Sequence, residues 1–591
     1  MEKLFHSIFF FVALISVSNA TDNSSMVKIV HVTDLHISAF GHYDRATDFV
    51  KFCDYLNKVI KPEVVIIGGD LTDSRTKNHV GSSQIEEEWK TYHKVLQKCQ
   101  ENSDIKWMDI RGNHDSFGIE NRENDYFTQY SVTSNRSRII SEMISKNDGS
   151  YGVIGIDTTL SPGPKYPFNF FGYINNDIME DFKITMAEIR NSTDFQLVFG
   201  HYPSNLITKS RQEWSSVMSV NSSKLVYICG HLHRIIPRMY SKQNEGFIEL
   251  ELGDWKNNKM FRIITIDKEK FRFNDVVFNR NEHENTFAVF QNPPDMTYFH
   301  PESFEDLLKY EYIEVLIFED GDADSKYKLI IDDQDEYFLL KDDKLPNLYK
   351  AKWNTTHFLE PRMYSLKIVD ADKSIIGSAQ FSLNPISDFR SPKALSKLSL
   401  HMNVLLFSKV LFILAALGIL IPLATLKIFH VSRSDCLPRN LIRTVSNRKT
   451  FYSLMISTLY VCIGPWSMGY FDDHQISFIF SYGILFTNGT FLPSDTNYFY
   501  GLLTFFPSLY LLTIGLSMKS HHRSNDSPIK FWLKRNWIFV LVLCIQMIHV
   551  ILFFMYFSAL ASFVGICGIF SLIFIGFLWK EKAYSTQYRL F

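Results

Sequence analysis

The sequence has few cysteines and almost no net charge for its length, and each shortage excludes a class of protein. Seven cysteines occur among 591 residues, and three of them, Cys53, Cys99 and Cys229, precede residue 400. The chain is therefore not a small disulfide-stabilised scaffold, although Cys53 and Cys99 could pair. The formal net charge is -2, so the basic field of a nucleic-acid-binding protein is absent and we expect no nucleic-acid partner.

Long hydrophobic runs are also missing from most of the chain, apart from its first 20 residues and its last third. The runs of the last third are 404–426, 452–470, 476–492, 498–517 and 536–579, and the last is long enough for two spans. Lys and Arg concentrate in 427–449, 518–535 and 580–591, so these segments are expected to be cytoplasmic. With a lumenal front half, five spans satisfy that condition. The weak run 476–492 is then lumenal, interfacial or re-entrant, and the region 403–580 is a helical multi-span membrane region with a cytoplasmic tail at 581–591.

The N-terminus predicts entry into the secretory pathway. Residues 1–20 combine Lys3, an apolar stretch and small residues at Ser18 and Ala20, which is typical of a cleaved signal peptide. Glycosylation motifs agree with this, and they lie at Asn23, Asn135, Asn191, Asn221 and Asn354. The final four residues, Tyr588–Phe591, have the form of a tyrosine-based sorting signal read by a cytosolic adaptor. We therefore expect a membrane protein of the secretory or endolysosomal system or the plasma membrane, with its front half lumenal or extracellular.

Two soluble regions are expected before the membrane region. Residues 27–290 alternate short apolar runs such as "VKIVHV" and "EVVIIGG" with helix-like stretches, which predicts an α/β layered domain whose strands are covered on both faces. Residues 300–390 show alternating strand patterns without helices, such as "YIEVLIF" and "YSLKIVD". This pattern predicts a small all-β domain, an immunoglobulin-like sandwich.

Polar side chains follow five of the predicted strands of the first region, each just after a Gly or Thr turn. The five segments are Asp34-Leu35-His36, Gly69-Asp70, Gly112-Asn113-His114-Asp115, Gly200-His201 and Gly230-His231-Leu232-His233. In layered α/β folds, sites form outside the carboxyl ends of the strands, so these side chains are expected to converge. Mixed nitrogen and oxygen donors suit divalent ions such as Mn, Fe or Zn. A pair of ions roughly 3.5–4 Å apart can clamp a phosphate and supply a metal-bound hydroxide that attacks phosphorus, while a histidine protonates the leaving group.

The five motifs, in this order, resemble the calcineurin-like metallophosphoesterase family, over residues 27 to about 290. The resemblance implies a β-sandwich flanked by helices and two divalent metal ions. It places Asp34, His36, Asp70 and His233 on the first ion and Asp70, Asn113, His201 and His231 on the second, so that Asp70 bridges. It makes His114 the leaving-group acid, with Asp115 orienting it. Signal peptide, phosphoesterase domain, β-domain and multi-span tail together resemble a narrower group of membrane hydrolases within the family.

One position departs from a branch of that family. Purple acid phosphatases place an iron-binding Tyr three residues after the bridging Asp, and this sequence has Asp73 there. A tyrosinate-iron site is therefore disfavoured, and Asp73 is expected to be a helix N-cap.

The leading interpretation is a membrane-anchored hydrolase of phosphoric esters, with mono- or diester preference open. A non-catalytic membrane scaffold that retains the fold is one alternative, and a phosphodiesterase acting on lipid headgroups or glycolipid anchors is another. The loop at 161–172, "SPGPKYPFNFFG", is expected either to face the substrate or merely to pack.

Overall fold

The computed structural model describes most of the chain. The described residues are 26–122, 125–133, 137–280, 285–297, 304–319, 327–343, 345, 347–385, 394–428, 445–517 and 528–572. The predicted signal peptide, the glycosylation motifs at Asn23 and Asn135, and the tail with Tyr588–Phe591 lie outside these residues, as does a further motif at Asn525 in the basic segment 518–535.

The first region contains two large β-sheets, and their central strands have side chains buried on both faces. Its strands are β1 (Val27–Val32), β2 (Val64–Ile67), β3 (Lys106–Asp109), β4 (Ile139–Lys146), β5 (Gly149–Ile156), β6 (Gly172–Tyr173), β7 (Phe195–Gly200), β8 (Ile207–Thr208), β9 (Leu225–Cys229), β10 (Tyr240–Lys242), β11 (Ile248–Glu251), β12 (Met260–Asp267) and β13 (Lys270–Val277). One sheet has the order β13-β12-β1-β2-β3 and the other β10-β11-β9-β7-β5-β4, while β6 and β8 form a separate pair. The strands β1, β2 and β3 are parallel, as are β5, β7, β9 and β11, so the carboxyl ends within each set share one edge.

The two sheets pack face to face, and helices cover their outer faces. The helices of this region are α1 (Asp44–Tyr55), α2 (Glu86–Gln100), α3 (Tyr126–Tyr130), α4 (Asn176–Ser192), α5 (Arg211–Met218) and α6 (Trp255–Asn258). Ile66 of β2 and Phe199 of β7 share the core between the sheets. Phe49 and Trp89 pack α1 and α2 on one outer face, and Phe182 packs α4 on the other. This four-layer arrangement confirms the predicted α/β fold of a β-sandwich flanked by helices. A disulfide joins Cys53 of α1 to Cys99 of α2.

The second region consists of two four-stranded antiparallel sheets that share one core. Its elements are β14 (Phe287–Asn292), α7 (Phe304–Leu308), β15 (Tyr312–Phe318), β16 (Lys328–Ile331), β17 (Asp335–Phe338), β18 (Leu340–Lys341), β19 (Leu348–Lys352), β20 (Tyr364–Val369) and β21 (Ile375–Phe381). The orders are β14-β15-β19-β18 and β17-β16-β20-β21. The first strand lies before residue 300, where the sequence placed the start of this region. An immunoglobulin-like topology stays a prediction.

The third region combines long helices with a small sheet. Its elements are α8 (Ala394–His401), α9 (Val404–Ile428), α10 (Arg448–Ile463), β22 (Ser467–Tyr470), β23 (Ile476–Phe480), β24 (Gly483–Phe486), β25 (Phe491–Pro493), α11 (Thr496–Ser517), α12 (Pro528–Tyr556) and α13 (Ala559–Val564). Three helical segments among the described residues are long and apolar enough to cross a membrane: Val404–Ile428, Thr496–Gly515 and Asn536–Tyr556. The run 476–492 forms antiparallel strands rather than a spanning helix. The count of five spans stays a prediction.

Candidate metal centre

The five predicted segments meet at the carboxyl ends of β1, β2, β3, β7 and β9. Asp34, Asp70 and His201 are almost completely buried there. The backbone N–H of Asp34 donates to the Gly69 carbonyl at 2.9 Å, and that of Gly230 donates to the His201 carbonyl at 3.0 Å. These bonds lock neighbouring strand ends together, so the side chains that follow them are held close to one another.

The first group of donor atoms comes from Asp34, His36, Asp70 and His233. One ligand atom from each lies within 4.8 Å of the others, a spacing that a single metal ion can bridge. His36 Nε2 is 3.4 Å from Asp70 Oδ2 and 3.2 Å from His233 Nε2, and His233 Nε2 is 3.0 Å from Asp34 Oδ1. Carboxylate and imidazole donors of this kind suit Mn, Fe or Zn.

The second group comes from Asn113, His201 and His231, and it also reaches Asp70. Asn113 Oδ1 lies 3.2 Å from His201 Nε2 and 3.0 Å from His231 Nδ1. His201 Nε2 is 3.5 Å from Asp70 Oδ1. Asp70 therefore presents Oδ2 to the first group and Oδ1 to the second, so its carboxylate could be shared if each group held an ion.

Hydrogen bonds to the far nitrogens orient two of the histidines. His36 Nδ1 lies 3.1 Å from Asp73 Oδ1, and His201 Nδ1 lies 2.9 Å from the Gly68 carbonyl oxygen. A carbonyl or an ionised carboxylate can only accept, so both rings donate Nδ1–H and keep the Nε2 lone pair for the centre of the site. This is how proteins fix the tautomer of metal-binding histidines. The donor set therefore fits a pair of divalent ions.

Five residues at the site have a left-handed backbone conformation, which brings their side chains close together. Asp34, His36, Asp70, His231 and His233 all have positive φ, between 48° and 77°. Non-glycine residues adopt this conformation rarely, and its cost is of order 1–3 kcal/mol each. Gly112 allows the closest approach, since a Cβ there would lie 2.1 Å from Asp70 Oδ1. The absence of a side chain at Gly112 thus lets the chain pass close to Asp70.

Burial controls the protonation of the site. It lowers the pKa of His36, His201 and His231 below the usual value, so these rings are neutral, which is the form that binds metal. Burial raises the pKa of Asp70 well above its usual range, and the nearby Asp34 carboxylate adds to this. Repulsion between buried carboxylates is what a bound cation relieves.

Two residues near the predicted acid His114, Asp115 and Asp73, have contacts that differ from expectation. His114 Nδ1 lies 2.5 Å from the Asp73 carbonyl oxygen, and its ring is 4.4 Å from that of His36. Asp115 was predicted to orient His114. Its carboxylate instead accepts hydrogen bonds from the backbone N–H groups of Leu71, Thr72 and Gly112. These bonds hold the turn that presents Asp70.

Asp73 is not a helix N-cap, and that prediction is wrong. The next helix, α2, begins at Glu86, and the Asp73 carboxylate bonds His36 and lies 3.3 Å from Lys256 Nζ. Asp73 therefore orients the His36 ring, as outer carboxylates do for histidines that bind metal. The short spacing from Asp70 was the available signal. Lys256 is 183 positions away in the sequence, so local spacing does not indicate that it lies beside Asp73.

The aromatic loop 161–172 both packs and faces the site. Phe168 is fully buried among Phe471, Phe553 and Phe557 of the third region. Phe170 is 41% exposed and its ring lies 4.6 Å from that of His231. Between them, Asn169 donates to the Asn113 carbonyl at 3.3 Å. One short loop therefore joins the candidate metal centre to the membrane region.

Comparisons with known proteins show the family to which the chain belongs. Residues 27–235 match the family model of the calcineurin-like phosphoesterases, and the chain belongs to this family. It is similar to transmembrane protein 62 of Mus musculus, with 30% identity over 541 residues, covering 85% of this chain and 80% of that protein.

Two further similarities cover a smaller part of the chain. A protein of Arabidopsis thaliana named as a metallophosphoesterase is 26% identical over 309 residues, which is 44% of this chain and 42% of that protein. The solved structure of a Haemophilus influenzae NAD nucleotidase has 11% identity and a TM-score of 0.23, covering 43% of this chain and 49% of that one.

Proposed function

We propose that this protein is a membrane-anchored hydrolase that uses two divalent metal ions to cleave phosphoric esters on the lumenal or extracellular side. The observation that carries the proposal is Asp70, whose two carboxylate oxygens lie 3.4 Å from His36 and 3.5 Å from His201 in separate donor groups. Membership of the phosphoesterase family supports the class of reaction.

The chain's own residues suit the protein's part of this hydrolysis. Two bound ions would supply Lewis-acid activation of the phosphate and of water. A water oxygen attacks phosphorus and releases a proton to solvent, the bond between phosphorus and the leaving oxygen breaks, and the leaving alkoxide takes a proton from His114. Because His114 donates Nδ1–H to the Asp73 carbonyl, Nε2 is the nitrogen that exchanges this proton. Burial lowers the pKa of His114, so its protonated form depends on the negative charge of the bound phosphate.

Several features support a lumenal or extracellular site. The Cys53–Cys99 disulfide belongs to an oxidising compartment. The acceptor asparagines Asn191, Asn221 and Asn354 are exposed, as is Asn488 of the small sheet. They all lie outside the three candidate spans, on regions that we place on the same side of the membrane.

Contacts between the regions support five spans. The start of α9 packs against the segment around Ser204–Leu206, and Asp495, just before α11, accepts from Thr208 at 2.7 Å. The end of α12 reaches the phosphoesterase domain through Tyr556. Thus α9 and α11 begin, and α12 ends, on the catalytic side, with α10 packed between α9 and α11 as the returning segment. A fifth crossing after α13 would place the tail in the cytosol. Lys409 fits this arrangement, since its Nζ pairs with Asp495 at 2.7 Å at the catalytic end of α9.

The experiment that tests the function is metal analysis of the purified full chain together with hydrolysis of a matched phosphomonoester and phosphodiester. We expect about two divalent ions per chain, as in dinuclear hydrolases, and turnover that a chelator abolishes and Mn, Fe or Zn restores. A chain without bound metal and without turnover would favour the non-catalytic scaffold. A lipid phosphodiesterase is the narrower enzymatic candidate, and the cavity beside Asp73 favours a lipid substrate.

A further inference from the structure

A cavity of about 380 Å³ lies between the candidate metal centre and the end of the membrane helix α12. Asp73, which bonds the metal-site residue His36, lines its inner side, and Tyr556, the last residue of α12, lines its outer side. Its other lining side chains are mostly basic: His42, Arg45, Arg75, His79 and Lys256.

The charges in this cavity are unbalanced. Asp73 is the one carboxylate among the lining residues, and it is already bonded to His36 at 3.1 Å and Lys256 at 3.3 Å. Arg45 lies 3.7 Å from the same carboxylate and donates to the His36 carbonyl. Arg75 has no ion pair with any described residue, and its guanidinium lies 4.1 Å from the centre of the Tyr166 ring. The Arg75 guanidinium therefore has aromatic neighbours, Tyr166 and Phe117, but no carboxylate partner among the described residues.

The cavity is close to both the reaction and the membrane. The His114 ring is 4.7 Å from that of Phe117, which is 5.8 Å from the Arg75 guanidinium. On the other side, the Tyr166 ring is 5.6 Å from that of Tyr556. Four contacts, none longer than 5.8 Å, thus connect the candidate acid to the end of a candidate span.

The loop that carries Arg75 also touches the membrane helix. A Cβ at Gly81 would lie 3.7 Å from the Met555 carbonyl oxygen. His42 and His79 have φ of 55° and 58°, a conformation that a non-glycine residue adopts at a cost of order 1–3 kcal/mol.

We propose that Arg75 binds a second anionic group of the substrate, and that this substrate is a phosphate ester anchored in the membrane by its lipid chains. The inference rests on the proposed function, because the reacting phosphate occupies the metal centre. If the reacting phosphate lies at the metal centre and a second anionic group lies near Arg75, the lipid chains of the substrate extend past Tyr166 and Tyr556 toward the bilayer. Guanidinium groups are well suited to phosphate because they donate two parallel hydrogen bonds.

Binding and hydrolysis are measured separately, so that failure of the reaction is distinguishable from failure of the cavity. The full chain is reconstituted in phosphatidylcholine vesicles that contain phosphatidylglycerol phosphate, which carries two anionic groups. Phosphatidic acid, which has one phosphate, is the comparison lipid. The deacylated headgroup of phosphatidylglycerol phosphate is the comparison ligand without lipid chains. A small chromogenic phosphate ester reports the reaction itself.

We expect the lipid with two anions to bind at least tenfold more tightly than its soluble headgroup and than phosphatidic acid. Arg75→Gln should remove about tenfold of that preference over phosphatidic acid, the factor that a charged hydrogen bond contributes. Arg75→Lys should restore part of it, and Arg362→Gln in the β-domain, where the side chain is half exposed, should change nothing.

Three results would overturn the proposal. Equal binding of the lipid with two anions and its soluble headgroup would contradict a membrane-anchored substrate. An unchanged preference of Arg75→Gln for that lipid over phosphatidic acid would contradict the role of Arg75. Equal weakening of both lipids, together with a lower unfolding temperature, would mean that Arg75 only joins the two regions. If binding behaves as expected but no ester is hydrolysed, the hydrolase proposal fails while the anion site stands.

Discussion

The phosphoesterase domain buries polar side chains at its candidate site, whereas the membrane region exposes large apolar ones. In the first, polar side chains such as Asp34, Asp70 and His201 are buried where strands end. In the second, large apolar side chains such as Phe407 and Leu414 of α9 are half exposed, since lipid rather than water covers them. Buried polar side chains therefore indicate the candidate site of the phosphoesterase domain. Exposed apolar side chains indicate the surface of the other region that lipid covers.

The largest effect is expected from removing the charge that both donor groups share. Asp70→Asn should abolish measurable turnover and lower the metal content, because the amide cannot hold two cations together. Metal analysis and ester hydrolysis of the full chain measure this, with the exposed Asp177→Asn as control. The membrane region should be unaffected, so wild-type metal content in Asp70→Asn would contradict the assignment.

A smaller loss is expected at the candidate acid. His114→Ala should keep the bound metal and lower kcat by roughly 10²–10⁴-fold, the usual contribution of a general acid. The loss should shrink for esters whose leaving groups need no proton. Rates for a series of leaving groups measure this, and His93→Ala on α2 is the control. An equal loss across the series would exclude the acid role.

Stability of the phosphoesterase domain should depend on a buried ion cluster beside the site. Asp157 Oδ2 lies 3.2 Å from Arg111 Nη1 and also pairs with Arg122. Burial alone would raise the pKa of Asp157, but Arg122 and Arg111 lower it well below its usual value. Asp157→Asn leaves buried cations without this partner, so it should cost about 3–5 kcal/mol near neutral pH.

The stabilisation by Asp157 should depend on pH in a direction that follows from its lowered pKa. A carboxylate with a lowered pKa stabilises the folded protein above its unfolded pKa, near 4, and this contribution is lost as the pH falls through the folded value. The difference in unfolding midpoint between wild type and Asp157→Asn should therefore be full at neutral pH and shrink only below about pH 4. The exposed Asp148→Asn is the control. A difference that grows on acidification would contradict the role of the cluster.

The contact between the two regions should be weakened by Phe168→Ala. A buried Phe truncated to Ala costs about 3 kcal/mol or more, and here the lost contacts are with Phe471 and Phe557. We expect a lower unfolding midpoint of the full chain in detergent, with the half-exposed Ile184→Ala as control. An unchanged midpoint would mean that the two regions are held together elsewhere.

The smallest effect on activity is expected at the C-terminus, which tests the orientation of the membrane region. A tag after Phe591 should be accessible from the cytosol, and Tyr588→Ala should increase the protein at the cell surface without changing hydrolysis. Protease protection of the tag, or glycosylation of Asn525, would contradict five spans and the sorting signal together. The hydrolase proposal would be unaffected.

The sequence by itself determined the class of the phosphoesterase domain and predicted which residues gather at the edge of its sheets. Strands buried on both faces need continuous apolar runs, and parallel strands deliver their last residues to one edge, so Asp34, Asp70 and His231 could be assigned from local pattern alone. The family resemblance added which of them share an ion.

Contacts between residues far apart in the sequence were decided only by the tertiary structure. Asp73 bonds His36 and Lys256, although the chain separates Lys256 from it by 183 positions. Asp115 supports the turn at Asp70 rather than His114, and the run 476–492 forms strands, since neither a hydrogen-bond partner nor a neighbouring strand is written in local periodicity. The cavity between Arg75 and Tyr556 exists because two regions pack together, and packing depends on shape complementarity that no single segment contains.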